Sequence, residues 1–219
     1  MTSVKYIIQA AIVDINTDKP KSDDVFLVDS NVWYWLTYTH ASQSLSPPCP
    51  YQVASYPNYV KMALELNALI YASNLSLAEL THLIEKAQRE IYNQTNRTKM
   101  MQKMYRHNLP EERSVVVSEV EAAWGQVTSL ARPLVDNIDE NVARQGLLRF
   151  QREKVDGYDL FILESMSKGG ITQIITDDGD FSSVSGITVF TANQGVLAAA
   201  KEQDKLMERS VREPSLIRS

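Results

Sequence analysis

Acidic residues follow two apolar runs of the sequence in positions where their carboxylates could act together. Asp29 directly follows the run 25–28, and Asp178 lies just beyond the run 171–176. Short continuous apolar runs are typical of strands buried on both faces of a parallel sheet. Ligands of open α/β sheets bind at the carboxyl ends of the strands, so we expect both aspartates at that edge.

Two further acids are expected at the starts of helices. Glu79 follows Ser76, where apolar helical periodicity begins, and Asp159 precedes the apolar helix Leu160–Ser167. A helix that follows a strand in a β-α unit starts at the carboxyl edge of the sheet. The sequence therefore predicts that Glu79 and Asp159 join the two aspartates.

Such a cluster needs protons or a cation to be stable. Two unit charges about 4 Å apart repel by roughly 4 kcal/mol at an effective dielectric near 20. Carboxylate and water oxygens select hard cations, here Mg²⁺ or Mn²⁺. A metal at this place can activate water and stabilise a phosphoryl transition state, which is the chemistry of a nuclease.

Each acid also has a purely structural explanation. Ser76 and Glu79 have capping-box spacing, and an acid at position 159 suits a helix N-terminus. Asp29 could cap a helix that begins near Val32, and the acidic run 177–180 could be an ordinary turn. These alternatives stay open from the sequence alone.

Other residues compete for a place in the cluster. Asp156 and Asp180 are two further candidates. His82 follows Glu79 by three residues, which is the Glu-x-x-His step of di-iron bundles, but those bundles need two copies and only one is present. We therefore do not favour a di-iron site.

A basic segment follows the predicted second acid. It has one acid, Glu90, and six cations, giving a local charge of 6 − 1 = +5, and Tyr92 and Tyr105 flank its polar part. Such a patch could hold nucleic-acid phosphates, although a solvated helix face explains it equally well. The cations are Lys86, Arg89, Arg97, Lys99, Lys103 and Arg106.

The remaining pattern predicts alternating strands and long helices. We expect further strands at 4–15 and 187–191, a proline-rich loop at 42–57, and a polar segment at 92–112. Helices are expected at 32–36, 59–70, from 76, 114–130, 135–150, and from an Asn193 cap. This alternation favours a three-layer α/β/α fold around a mostly parallel sheet.

The bulk composition suits a single globular domain. The chain has 219 residues, a net charge of −5, 44% hydrophobic residues and one cysteine, Cys49. The acidic total argues against non-specific coating of nucleic acid. One thiol cannot form an internal disulfide, and no apolar run approaches the roughly 20 residues that span a bilayer. We expect a cytoplasmic protein without a membrane segment, in which the lone cysteine is not a nucleophile.

Four short motifs, taken in order, resemble those of the PIN-domain family. They are the strand ending in Asp29-Ser30-Asn31, the helix start at 76–80 with Glu79, the segment 158–163 with Asp159, and the run Ile174–Phe181. The similarity covers about residues 25–92 and 150–195. It leaves an apparent helical and basic insertion at about 93–149, and we expect a flexible tail after about residue 207, all within one domain of residues 1–219.

The resemblance implies a Mg²⁺- or Mn²⁺-dependent endoribonuclease that hydrolyses phosphodiester bonds. In it, Asp29, Glu79, Asp159 and Asp178 would hold metal and activate water, supported by Thr176, Ser30, Asn31 and Asp180. Many members are toxins of toxin–antitoxin pairs, so an antitoxin-like protein partner and a homodimer are open alternatives beside RNA. Two other functions remain: a catalytically weak PIN-like module that binds RNA or protein, and a phosphate-ester hydrolase for small molecules. The sequence has no glycine-rich phosphate loop, which argues against nucleotide-triphosphate chemistry.

Overall fold

A computed structural model of the protein describes residues 4–45 and 47–209. Its strands are β1 Ala11–Asp14, β2 Val25–Val28, β3 Leu69–Ser73, β4 Arg132–Leu134, β5 Gln173–Ile175 and β6 Thr188–Thr191. Its α-helices are α1 Ser30–Thr37, α2 Pro50–Glu65, α3 Leu75–Thr95, α4 Gln102–Asn108, α5 Pro110–Leu130, α6 Glu140–Arg152, α7 Asp159–Lys168 and α8 Gln194–Glu202. Short 3-10 helices lie at Ala41–Gln43 and Gly179–Ser183.

The strands form one parallel sheet with the order β1-β6-β5-β2-β3-β4. From β2 the chain proceeds to β3 and β4 on one side, and it returns to β5 and β6 on the other. The order therefore reverses between β2 and β5, where Val28 is in register with Ile175. Ligands of open α/β sheets bind in the crevice outside such a reversal point.

Helices cover both faces of the sheet, which confirms the predicted three-layer α/β/α fold. Alternate residues of β2 point to opposite faces, as a strand requires. Phe26 and Val28 join the core beneath α1, α2, α3 and α5, and Leu27 joins the core beneath α7 and α8. Three consecutive apolar residues of this strand, 26–28, are thus buried, as expected for a parallel sheet.

The predicted loop 42–57 and helix 59–70 are both partly wrong. Helix α2 already starts at Pro50, where a proline needs no hydrogen-bond donor, and it contains Pro57 in its interior. It ends at Glu65, and Asn67 adopts a left-handed conformation with a φ of 61°. The chain then enters β3, whose apolar residues continue the helical periodicity closely enough to conceal a strand.

Other boundaries also differ from the predictions. Of the predicted strand 4–15, only β1 is a strand, although the Gln9 N–H donates to the Ser182 carbonyl before it. The polar segment 92–112 contains α4 and the first turn of α5. The apparent insertion 93–149 includes α5, strand β4 and most of α6, which begins at an Asp139 cap rather than near Val135.

Among the described residues, the segment 205–209 lies against β1 and the turn that follows it. The Met207 N–H donates to the Ile12 carbonyl, and Arg209 forms ion pairs with Asp18 and Asp24. The rest of the predicted flexible tail, residues 210–219, lies outside the described residues. Within the described part of the chain, the helices are too short or too polar for any of them to cross a membrane.

Candidate functional site

The four predicted carboxylates line one cavity at the reversal point of the sheet. The cavity has a volume of about 750 Å³. It receives Asp29 from the end of β2 and Asp178 from the segment after β5. Glu79 enters from the second turn of α3, and Asp159 is the first residue of α7.

Asp29 is the most deeply buried of these acids, with 7% of its surface exposed. It is the N-cap of α1 and accepts hydrogen bonds from the Ser30 N–H and the Thr176 hydroxyl, both at 2.6 Å. Burial, with smaller contributions from the charges of Glu79 and Asp178, raises its pKa to about 7. Capping and membership of the cluster are therefore not alternatives for this residue.

Thr176 connects the ends of the two central strands. Its hydroxyl donates to Asp29 and accepts the Asp178 N–H at 2.9 Å and the Asn31 amide at 3.5 Å. The Asp29 N–H also donates to the Ile175 carbonyl at 3.1 Å. This small network fixes Asp29 relative to the loop that carries Asp178.

Glu79 does not form the capping box that its spacing allows. Helix α3 starts at Leu75 after Asn74, so Ser76 is already inside the helix. The Glu79 carboxylate instead accepts a hydrogen bond from the Ser30 hydroxyl of α1. Burial raises the pKa of Glu79, and the charge of Asp178 adds to this effect.

The other two carboxyl groups share the same electrostatic strain. Burial, followed by the charges of Asp29 and Glu79, raises the pKa of Asp159 to about 9. The pKa of Asp178 is also raised by burial, followed after its own hydrogen bond by the charge of Asp156. Each group thus makes ionisation of its neighbours less favourable, as expected for like charges removed from water.

The rival acids lie outside the set that lines the cavity. Asp180 is exposed and donates its N–H to the Asp178 carboxylate at 2.8 Å, so that Asp178 caps the short helix Gly179–Ser183. Asp156 is exposed and contributes charge to Asp159 and Asp178. The contact of Asp180 with the cluster is therefore made by its backbone N–H, and its supporting role stays a prediction.

Helix α2 secures the neighbouring Asp177, a contact that the sequence did not predict. Asp177 accepts hydrogen bonds from Tyr56 and Gln52, both at 2.6 Å, and from Tyr51 at 3.1 Å. The Tyr56 hydroxyl also accepts the Ala192 N–H. The first half of this helix, residues 50–57, was predicted as a loop, so no sequence signal paired its side chains with Asp177.

The donor set of the cavity suits a hard divalent cation. Carboxylate oxygens predominate, and the buried Asn31 Oδ1 has no hydrogen-bond partner within the described residues. Among residues 4–45 and 47–209, no group of three or more histidines, cysteines, aspartates and glutamates is arranged so that it could hold a metal ion. Mg²⁺ commonly binds through only one or two protein carboxylates and keeps several waters, a mode that does not need three such residues at one point.

Members of the predicted basic patch line two different cavities. Arg106 lines the carboxylate cavity, whereas Arg89 and Lys99 line a separate groove and Arg89 donates to the Met100 carbonyl. The remaining members, Lys86, Arg97 and Lys103, are exposed.

Arg113 also lines the carboxylate cavity, although the sequence analysis missed it. It lies on α5, beyond the break at Leu109-Pro110 that separates it from Arg106 on α4. No single helical periodicity spans that break, so spacing alone could not reveal the pair.

Comparisons of the chain with protein-family models and with curated proteins find no match.

Proposed function

We propose that this protein is a divalent-metal-dependent ribonuclease of the PIN-domain type, which hydrolyses phosphodiester bonds of RNA. The observation that carries the proposal is the convergence of Asp29, Glu79, Asp159 and Asp178 on one cavity. Burial raises all four pKa values, and the charges of other members of the cluster add to the shifts of the first three. Like charges held together in this way favour a bound cation. The place of the cavity, at the reversal point of a parallel sheet, also supports a binding site.

Mg²⁺ or Mn²⁺ would be held by these four carboxylates, with Asn31 Oδ1 available as a neutral oxygen donor. When bound, such an ion lowers the pKa of water and neutralises charge that develops on a phosphoryl group. The protein contributes orientation: Thr176 fixes the Asp29 carboxylate, and Ser30 fixes that of Glu79. These hydrogen bonds limit the rotamers of the acids before substrate arrives.

The cationic residues around α3 and α4 support a polyanionic substrate. Arg106 stands in the cavity itself, and exposed lysines lie on the helices next to it. We take RNA as the substrate because of the resemblance of the four motifs. The same resemblance extends the proposal to a cytoplasmic toxin whose cavity an antitoxin-like partner would cover.

A catalytically weak RNA-binding module is the second candidate. It is favoured because, among the described residues, no group of three or more histidines, cysteines, aspartates and glutamates could hold a metal ion. The two functions differ in whether RNA is cut when metal is added.

Cleavage of a labelled single-stranded RNA pool under single-turnover conditions with Mn²⁺ separates them. Asp178→Asn should lower the cleavage rate by about 10²-fold or more, the usual effect of removing one electrostatic group from an active site. Binding of RNA in EDTA should be unchanged or stronger, because a negative charge near phosphate is lost. Asp23→Asn removes an exposed acid and is the matched control.

Two results would contradict the enzyme. One is tight RNA binding by the wild-type protein without metal-dependent cleavage of any RNA, which favours the binding module. The other is equal cleavage by the Asp178→Asn and Asp23→Asn variants.

A further inference from the structure

The cavity has a second, basic end that the proposed chemistry does not use. Glu79 faces the other acids, and Glu85 lies six residues further along α3, also at the cavity. With a rise of 1.5 Å per residue, the two positions are about 9 Å apart along the helix axis. At this second end the lining residues are Arg106 and Arg113.

Glu85 binds both arginines. Its carboxylate accepts Arg106 Nε–H at 2.8 Å and Arg106 Nη2–H at 2.6 Å, and it accepts Arg113 Nη1–H at 3.1 Å. Gln102 adds a hydrogen bond at 3.1 Å. The Arg106 contact is the main reason that the pKa of Glu85 lies below its usual value.

The carboxylate of this group is buried, whereas its two arginine side chains are partly exposed to solvent. The Glu85 side chain is 4% exposed, whereas those of Arg106 and Arg113 are 41% and 48% exposed. One carboxylate cannot neutralise two guanidinium groups, so the group keeps a net charge of +1. Each guanidinium has five N–H donors, and most of them are not engaged by Glu85.

This arrangement suits recognition of phosphate. A buried carboxylate that holds two cations at a cavity wall reduces the entropy that they would lose on binding an anion. Planar guanidinium groups also bind phosphate oxygens in pairs, which a lysine cannot do. Glu79 and Glu85 lie about 9 Å apart along the helix axis. Phosphates recur about every 3.4 Å along a strand of a duplex, so a short stretch of one strand can reach both ends of the cavity.

We propose that Arg106 and Arg113, positioned by Glu85, form a second phosphate subsite that binds a phosphate beside the scissile one. This inference rests on the proposed function, since it assigns the scissile phosphate to the carboxylate end. It predicts that the enzyme prefers an RNA strand with several phosphates to a dinucleotide with only one. The exposed His82 lies on α3 between Glu79 and Glu85, and it would face the nucleotide between the two phosphates.

The test compares cleavage of a fluorogenic RNA dinucleotide and a hexanucleotide with Mn²⁺. Arg113→Ala leaves Glu85 paired with Arg106 and Gln102, so the fold should survive. It should lower kcat/KM for the hexanucleotide about tenfold or more, the usual loss for one charged hydrogen bond, and should leave dinucleotide cleavage within about twofold. Lys168→Ala removes an exposed cation at the far end of α7 and should change neither value.

Glu85→Gln separates positioning from simple attraction. It makes the subsite more positive, so attraction alone would strengthen hexanucleotide cleavage. If Glu85 positions the arginines, the preference for the hexanucleotide should fall instead. A melting curve of each variant is needed. If the ion pairs of Glu85 had only a structural role, their loss would lower stability and would slow the cleavage of both substrates equally.

The inference is overturned if Arg113→Ala slows both substrates equally, if it behaves like Lys168→Ala, or if Glu85→Gln increases the hexanucleotide preference. If the wild-type protein cleaves neither substrate with Mn²⁺, the proposed function fails instead. Binding of the hexanucleotide in EDTA then tests whether the second phosphate subsite exists. Arg113→Ala must weaken that binding and reduce its salt dependence by about one released counterion, and unchanged binding refutes the subsite.

Discussion

Asp159→Asn should make the metal-free protein more stable, and the gain should depend on pH. The substitution keeps the size of the side chain and removes a carboxyl group whose ionisation is made unfavourable by burial and by the neighbouring acids. Within the described residues the Asp159 side chain makes no hydrogen bond that asparagine would lose. A substitution at the heart of the cavity is thus expected to strengthen the fold while it weakens metal binding.

The sign follows from the raised pKa of Asp159. That pKa is about 9 in the folded protein, against an ordinary value of 3.8. Between these values the folded state binds more protons than the unfolded state, so wild-type stability falls as the pH rises from about 4 to about 9. The asparagine side chain has no proton to release. The gain in stability of the variant over the wild type should therefore be absent near pH 4 and should grow towards pH 9.

The magnitude is limited by water and by the neighbouring acid. The full shift corresponds to about 7 kcal/mol for a completely shielded carboxyl group. Asp159 borders the cavity, where water screens its charge. Asp29 can also keep a proton in its place, so we expect a gain of about 2 kcal/mol at pH 8.5, or roughly 4–8 °C in melting temperature.

Thermal unfolding in EDTA at pH 4.5, 6.5 and 8.5 checks this expectation. Asp23→Asn serves as the control, because it removes an exposed acid and should give a small shift that does not change with pH. A destabilised Asp159→Asn variant, or a gain equal at all three pH values, would refute the argument that the carboxylates repel each other in the cavity.

Two further predictions concern metal binding and the chain ends. Millimolar Mn²⁺ or Mg²⁺ should raise the wild-type melting temperature, since any ligand of the native state stabilises it, and Asp29→Asn should shrink that shift; an unchanged wild-type curve would count against the site. Arg209→Met should cost about 3–5 kcal/mol in denaturant unfolding, because Asp18 and Asp24, 4% and 5% exposed, would lose their buried cation. Arg144→Met, which breaks an exposed pair on α6, should cost under about 1 kcal/mol, and equal costs would contradict the role of Arg209.

The sequence predicted the central strands well because their signals are local. The run Val25–Val28 is uniformly apolar and ends at an acid, and the structure has a strand with these same bounds. Its position in a parallel sheet then placed Asp29 and Asp178 at one edge. Both lie at the cavity because strand ends, unlike side-chain contacts, follow directly from sheet geometry.

Features that depend on distant parts of the chain could not be predicted. Strand β4 has three residues, two of them exposed, and it is a strand only because β3 pairs with it. The partner of Glu79 is Ser30, 49 residues away, whereas the nearby Ser76 offered a plausible local partner. The ion pairs of Glu85 with Arg106 and Arg113 likewise join three helices. Helical periodicity could not reveal them, because it is interrupted between α4 and α5.

Anomalous scattering at the manganese edge, measured on a crystal of the wild-type protein, would locate Mn²⁺ and so test whether the four carboxylates form a metal site. We expect a peak in the cavity, among Asp29, Glu79, Asp159 and Asp178, and its loss or marked weakening in the Asp178→Asn crystal. A wild-type crystal at saturating Mn²⁺ with no peak in this cavity, or with manganese bound only elsewhere, would contradict it.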